Sequence, residues 1–168
     1  MTAIRLARDD DWSAVIDVHQ RAFVGDDVPR LADALRASDA YVPELSFVAV
    51  DGDDVVGHVM NTWVEIKNSP RRLLQLSPLG VLPELQGRGI GSALVRASLD
   101  AVRARGEPAL LVEGNPRYYG RFGFVRADEL GLLPPPEALH DWAFQVAVLG
   151  PEADLPRGRV VYPPPFSA

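Results

Sequence analysis

The chain contains no cysteine, which excludes a disulfide framework, a thiolate metal site and a cysteine nucleophile. Histidine is scarce: His19, His58 and His140 stand far apart and form no metal-ligand spacing. Lysine is reduced to Lys67, so the phosphate-binding pattern that ends in Gly-Lys-Ser/Thr has nowhere to occur. A net charge of -6 and a pI near 5.0 argue against a nucleic-acid partner, which selects a basic face. No apolar run approaches the length of a bilayer span, and Met1–Arg8 lacks the apolar core of a signal peptide. The expectations are no membrane partner and a cytoplasmic location.

What is present is ordinary in bulk and specific in one place. The 168 residues, 47% of them hydrophobic, suit a single domain over 1–168 with a core of useful size. The specific place is Leu73–Ser92. An apolar run from Leu73 to Leu82 predicts a strand, and Pro83, lacking an N–H, ends its ladder. Gln86-Gly-Arg-Gly-Ile-Gly-Ser92 then sets three glycines at alternate positions before a helical pattern. Glycine lets the backbone approach a ligand closely, and a helix start offers unpaired N–H groups beside the positive end of its dipole. Strand, glycine loop and helix together make a cradle for phosphate.

The surrounding chain divides into recognisable pieces. Ile4–Ala7 predicts a first strand, and Asp9–Asp11 open a helix whose Trp12, Val15, Ile16, His19 and Phe23 form one apolar stripe. His19 on that stripe reads as a packed core or boundary residue. A second helix follows over Val28–Ala37. Leu45–Val50 and Val55–Ile66 flank Asp51-Gly-Asp-Asp54 as a hairpin, with Gly57 marking a bulge or a close approach. His58 and Glu65 read as one packed and one solvated side chain, or as residues facing an acceptor pocket. Ser77-Pro78 falls inside the central strand, as tolerated at an edge or a bulge.

Ile90, Ala93, Leu94, Ala97, Ala101 and Val102 predict a helix from Gly89 to about Arg105, stopped by Gly106, and Ala109–Val112 predicts a buried parallel strand. Residues 73–113 thus form a right-handed βαβ unit. Asn115 and Pro116 suit the N-cap and first position of a short helix ending at Gly123 before a strand Phe124–Arg126. A proline-rich loop over Leu130–Pro136, a final strand over Trp142–Val148 and an extended tail over Arg157–Phe166 complete the chain.

Gln86-x-x-Gly89-x-Gly91, with Leu79-Gly-Val-Leu-Pro-Glu84 before it, resembles the pyrophosphate-binding signature of the GCN5-related N-acetyltransferase (GNAT) superfamily. The aromatic pair Tyr118–Tyr119 followed by Gly123-Phe124 is similar to a second signature of that family. Asn115-Pro-x-Tyr-Tyr119 and the Tyr162-Pro-Pro tail most resemble its bacterial YhbS-like branch. The resemblance implies an α/β (α+β) GNAT fold: a mixed, mostly antiparallel twisted sheet of about six or seven strands, helices on both faces and a splayed parallel strand pair. It implies acetyl-CoA as cosubstrate, no metal, and a small-molecule or peptide primary amine as acceptor. Since dimers are common in the family, a homodimer is the assembly to look for.

The same resemblance assigns residues. Leu79, Gly80 and Val81 would hold the pantetheine arm, and the backbone of Gly87, Arg88, Gly89, Ile90, Gly91 and Ser92 the pyrophosphate, with Gln86 bracing the loop. Asn115 joins the donor-binding set, and Tyr119 matches the catalytic tyrosine, an acid for the departing sulfur. Glu113 is the candidate base, with Glu65, His58 and a water relay as alternatives. Without a cysteine, direct attack by the amine in a ternary complex is the natural mechanism. Two other readings stay open from sequence. A Rossmann-type nucleotide binder would use the same loop, with Glu107 on the ribose, but wants that loop near the N-terminus. A GNAT-fold protein that binds CoA without turnover would keep all these motifs.

Overall fold

The computed structural model describes residues 1–168. Nine strands are named in chain order: β1 Thr2–Leu6, β2 Tyr41–Asp51, β3 Asp54–Ile66, β4 Arg72–Val81, β5 Ala109–Glu113, β6 Val125–Arg126, β7 Leu132–Leu133, β8 Phe144–Val148 and β9 Gly158–Val161. Four α-helices join them: α1 Trp12–Ala22, α2 Asp27–Arg36, α3 Ile90–Ala104 and α4 Pro116–Tyr119. Hydrogen-bonded neighbours run β1-β2-β3-β4-β5-β8-β6, and β9 pairs with both β3 and β7. The sheet is mixed and mostly antiparallel, with β4 and β5 parallel. It is the expected GNAT architecture with more strands than expected. A Rossmann-type sheet is excluded, since that fold is built from parallel strands.

Two compact units can be distinguished, Met1–Thr62 with Ser77–Ser98 and Trp63–Leu76 with Leu99–Ala168. In the first, β1 and β2 pair antiparallel over Thr2–Asp51 to Leu6–Phe47, and β2 turns into β3 through Gly52 at φ +63°. The β2–β3 register slips by one residue between Ala49–Gly57 and Val50–Val55, leaving Val56 as a bulge beside Gly57. A bulge or a close approach was expected there, and both occur: a methyl group on Gly57 would sit 3.1 Å from Leu94 of α3. His58, next along the strand, meets His19 of α1. Successive side chains of a strand point to opposite faces, so this part of the sheet carries a helix on each side. Asn61 anchors the α3 side, donating 2.9 Å bonds to the Leu45 carbonyl and the Ser98 hydroxyl.

Helices α1 and α2 are tied through Trp12, whose Nε1 donates to Asp33 (2.9 Å) and whose ring carries the Arg36 guanidinium at 4.4 Å. Asp11, just before α1, accepts two bonds from Arg5 of β1 (2.7 and 2.9 Å) and one from the Arg8 N–H (2.7 Å). The Arg5 bonds hold its carboxyl below the ordinary carboxylate range, so it remains charged.

In the second unit, β4 and β5 share three registers, Leu74–Leu110 to Leu76–Val112, and β8 pairs antiparallel with β5 from Ala109–Val148 to Glu113–Phe144. Leu111, Phe144, Val146 and Val160 are fully buried in the core here. The chain beyond Gly123 departs from expectation. Leu132–Leu133 lie inside the expected loop yet pair in parallel with Gly158–Arg159, and the expected tail is strand β9, antiparallel to Glu65–Ile66 of β3. Two- and four-residue strands carry too little periodicity to be read from sequence.

Replacing Gly57 with valine should test the close packing of α3. Overpacking costs about 1–3 kcal/mol, seen as a lower urea midpoint at unchanged slope. An unshifted midpoint would show that α3 has room to move.

Candidate functional site

Strand β4, the loop after it and the start of α3 lie within the first unit. Leu79, Gly80 and Val81 end β4, and a 3-10 turn over Pro83–Leu85 leads to the loop. Gln86 Nε2 donates 3.0 Å back to the Val81 carbonyl, clasping the loop to the strand. Gly87 and Gly89 have φ of +75° and +86°, where an L side chain is strained. An added methyl would meet nothing within 4 Å at either, so backbone conformation and not space requires glycine. Gly87, Arg88 and Gly89 are exposed, Ile90 is buried, and Gly91 and Ser92 are half-buried in the first turn of α3. That turn is where helical N–H groups lack intrahelical partners and the dipole is positive. A glycine loop that feeds a helix start is the type of arrangement that binds phosphate groups.

The same unit also holds an acidic cleft. A cleft of about 570 Å³ is lined by Asp10, Asp11, Asp17, Asp51, Asp53 and Asp54, with Glu84 and Arg21. Arg21 pairs with Glu84 at 2.6 Å and approaches Asp17 at 3.9 Å. Such a lining repels phosphates, so this cleft does not suit a nucleotide.

Glu113, Asn115 and Tyr119 come together in the second unit, at the end of β5 and on α4. Asn115 caps α4 as expected, its Oδ1 accepting the Arg117 N–H at 2.9 Å. Gly123, at φ +93°, ends the following 3-10 turn. The Tyr119 ring lies edge-on to Tyr118 (5.0 Å) and Phe124 (5.6 Å), and it presses on Gly114, where a methyl group would overlap it. Burial raises the Tyr119 hydroxyl well above the ordinary phenol value, so it holds its proton at neutral pH.

Glu113 is engaged on both oxygens: Oε1 accepts the Leu139 N–H (2.8 Å) and Oε2 the Tyr162 hydroxyl (3.2 Å). Neither contact was visible from sequence, because both partners lie far along the chain. Glu65 is exposed on β3 opposite Val161. His58 does not face a pocket; it is fully buried and bonded on both ring nitrogens, Nδ1 to His19 Nε2 at 2.8 Å and Nε2 to the Ser46 hydroxyl at 3.0 Å. His19, expected in the core, is there, but as part of this polar chain. Ser46 had no signal beyond its place in an apolar strand.

Burial pushes His19 down to about 4, and burial followed by the field of His19 holds His58 well below the ordinary histidine value. Both are neutral in the fold, while unfolded histidine takes up a proton below about pH 6.5. Stability is therefore complete above that pH and falls as pH drops towards 4, by about 3 kcal/mol for His19. Urea midpoints should decline over that window, and a flat profile would show that the pair is not buried neutral.

An acetyltransferase (GNAT) domain model matches residues 3–127. The uncharacterized N-acetyltransferase YjhQ of Escherichia coli K12 is 34% identical over 116 residues, covering 68% of this chain and 64% of YjhQ. The chain thus spans less than two thirds of the length of that relative. Among solved structures, the GNAT family N-acetyltransferase YhbS from Escherichia coli in complex with CoA superposes with a TM-score of 0.90 at 28% identity, covering 99% of this chain and 92% of YhbS. A GNAT family acetyltransferase from Brucella melitensis in complex with acetyl-CoA gives 0.81 at 31% identity, covering 99% and 98%.

Proposed function

Because the chain belongs to the GNAT family of acetyltransferases, we propose that residues 1–168 form one catalytic domain that transfers the acetyl group of acetyl-CoA to a primary amine. The carrying observation is the clasped loop Gln86–Ser92, with Gly87 and Gly89 at positive φ opening α3. The CoA and acetyl-CoA complexes of the two structural relatives support the same donor. Acetyl-CoA supplies the activated acyl group as a thioester. The loop N–H groups from Gly87 to Ser92 bind its pyrophosphate through local dipoles. Leu79, Gly80 and Val81 would hold the pantetheine arm, and the Val81 N–H would stabilise the negative charge that develops on the thioester oxygen as the amine attacks. Asn115, its Oδ1 used in the cap, keeps its amide donors for the same arm.

Tyr119 holds the proton that the departing sulfur needs. A phenol raised above its ordinary value is protonated at neutral pH and can donate to a thiolate of lower pKa, about 8.5 in the free thiol. The Gly114 contact fixes the ring, so the hydroxyl is oriented before the reaction. Glu113, the base expected from sequence, is spent in large part on Leu139 and Tyr162. In this mechanism it secures the loop over Pro135–Trp142 and the C-terminal segment, and removal of the amine proton falls to another group. The amine attacks directly within a ternary complex, since the chain has no cysteine to carry an acetyl group.

Acetyl-CoA at about 100 times its Kd should raise Tm by about 5–10 °C, from roughly 2.7 kcal/mol of linkage. NAD should give no rise, and a rise with NAD alone would sink the donor assignment. Turnover can be followed as thiol release without protein background, because no cysteine is present. Tyr119→Phe should lower kcat by about 100-fold or more at unchanged acetyl-CoA affinity. Unchanged turnover would remove Tyr119 as the acid. A wild-type protein that binds acetyl-CoA and releases no thiol with any amine would instead be a binding protein on the same fold.

A further inference from the structure

Beneath α1 lies a chain of three polar side chains with one open end. Ser46 of β2, His58 of β3 and His19 of α1 are each fully buried. The serine hydroxyl bonds His58 Nε2 at 3.0 Å, and His58 Nδ1 bonds His19 Nε2 at 2.8 Å. His19 Nδ1 has no hydrogen-bond partner in the protein. A buried polar atom left in this way destabilises the fold, and leucine or phenylalanine would fill the stripe on α1 without that cost. The open nitrogen faces β4: a methyl group on Gly80 would lie 2.7 Å from it. Only a glycine lets the imidazole lie against the strand there, one residue before Val81.

We propose that His19 is the proton acceptor for the attacking amine, and that His58 and Ser46 are positioning residues that hold the accepted proton. This rests on the proposed placement of the thioester along Leu79–Val81. In the resting chain, His19 donates from Nε2 to His58 Nδ1, and His58 donates from Nε2 to Ser46, which leaves His19 Nδ1 as a bare lone pair. The amine nitrogen bonds to the acetyl carbon and loses one proton to that lone pair. His19 passes its Nε2 proton to His58 Nδ1. The carbon–sulfur bond breaks, its electron pair leaves on sulfur, and Tyr119 gives that sulfur a proton. His58 then carries the positive charge with both N–H groups satisfied, one by His19 Nε2 and one by the Ser46 oxygen. The Nδ1 proton of His58 then returns to His19 Nε2, His19 Nδ1 releases one proton to solvent and Tyr119 takes one up, which restores the start.

Burial and then the field of His19 hold His58 towards its neutral form, and Asp11, kept ionised by Arg5, opposes them in part, so the proton His58 receives is readily given up again. The other groups against the pair are the edge of Trp12 (5.8 Å from His58), Phe23 stacked on His19 (6.0 Å), Ser46 and the Gly80 backbone, none of them charged. Phe23 would also lie 3.4 Å from a methyl group on Gly80, and it is 36% exposed at the end of α1. It is the side chain that must turn for an amine to reach Nδ1.

The test uses acetyl-CoA with n-butylamine as probe, thiol release from about pH 3.5 to 9, and calorimetry for acetyl-CoA affinity, on wild type, His19→Gln and Ser46→Ala. Ionisation of the amine cancels in the ratio of wild type to variant. His19→Gln should lose about 100-fold or more in kcat, as for removal of a general base, with acetyl-CoA affinity kept and the wild-type acid limb gone from its profile. Ser46→Ala should lose about 10-fold and move the acid limb to lower pH, because charged His58 then lacks one acceptor. A folded His19→Gln protein with wild-type kcat, or an unmoved acid limb in Ser46→Ala, overturns the proposal. If His19→Gln does not fold, the Ser46→Ala profile decides alone. A wild-type protein that does not bind acetyl-CoA would instead sink the donor assignment.

Discussion

The donor site proposed for this chain depends on where β4 stops pairing with β5. Strand β4 runs unbroken from Arg72 to Val81, but its parallel registers with β5 end at Leu76–Val112. Two residues later stands a proline with no N–H to donate. The remaining residues of β4 keep backbone groups outside that ladder, and they lead directly into the glycine loop. A fully paired strand would offer a ligand only side chains. One released from its parallel neighbour offers main-chain donors and acceptors, whose positions are fixed by the sheet and not by rotamers.

The same economy governs charge. The donor substrate of a GNAT enzyme is a polyanion, yet this chain is acidic and has one lysine. It concentrates carboxylates in the cleft lined by Asp10, Asp17, Asp51 and Asp53, and none of the residues from Gln86 to Ser92 is acidic. Local dipoles act over the first turn of a helix, whereas net charge acts over a screening length. An anion site can therefore persist in an acidic protein, provided the carboxylates are kept out of its immediate surroundings.

What could be read from sequence divides along contact distance. The loop Gln86–Ser92, the Asn115 cap, the Gly123 stop, the bulge near Gly57 and the amphipathic helices are local patterns, each decided by residues within a few positions, and the structure has them. The expectation of a GNAT sheet also holds, although β7 and β9 were read as loop and tail because Leu132–Leu133 and Gly158–Val161 are too short to show alternation. The polar contacts escaped for a different reason. Glu113 meets Tyr162, and His19 meets His58, only through pairings that no spacing along the chain records. From sequence His58 reads as packed, solvated or facing a pocket and His19 as core; both are buried and bonded to each other.

Strand β9 has a consequence for how the molecule is made. Glu65 and Ile66 of β3 pair with Val161 and Val160, which leave the ribosome long after β3 itself. Until then that part of β3 has main-chain groups waiting for a partner, and waiting strand edges are where nascent chains associate wrongly. Pairings of such long sequence separation also slow folding, because loop closure precedes any gain from the contact. Synthesis speed and chaperone supply, more than helix propensity, should thus govern the soluble yield of this protein.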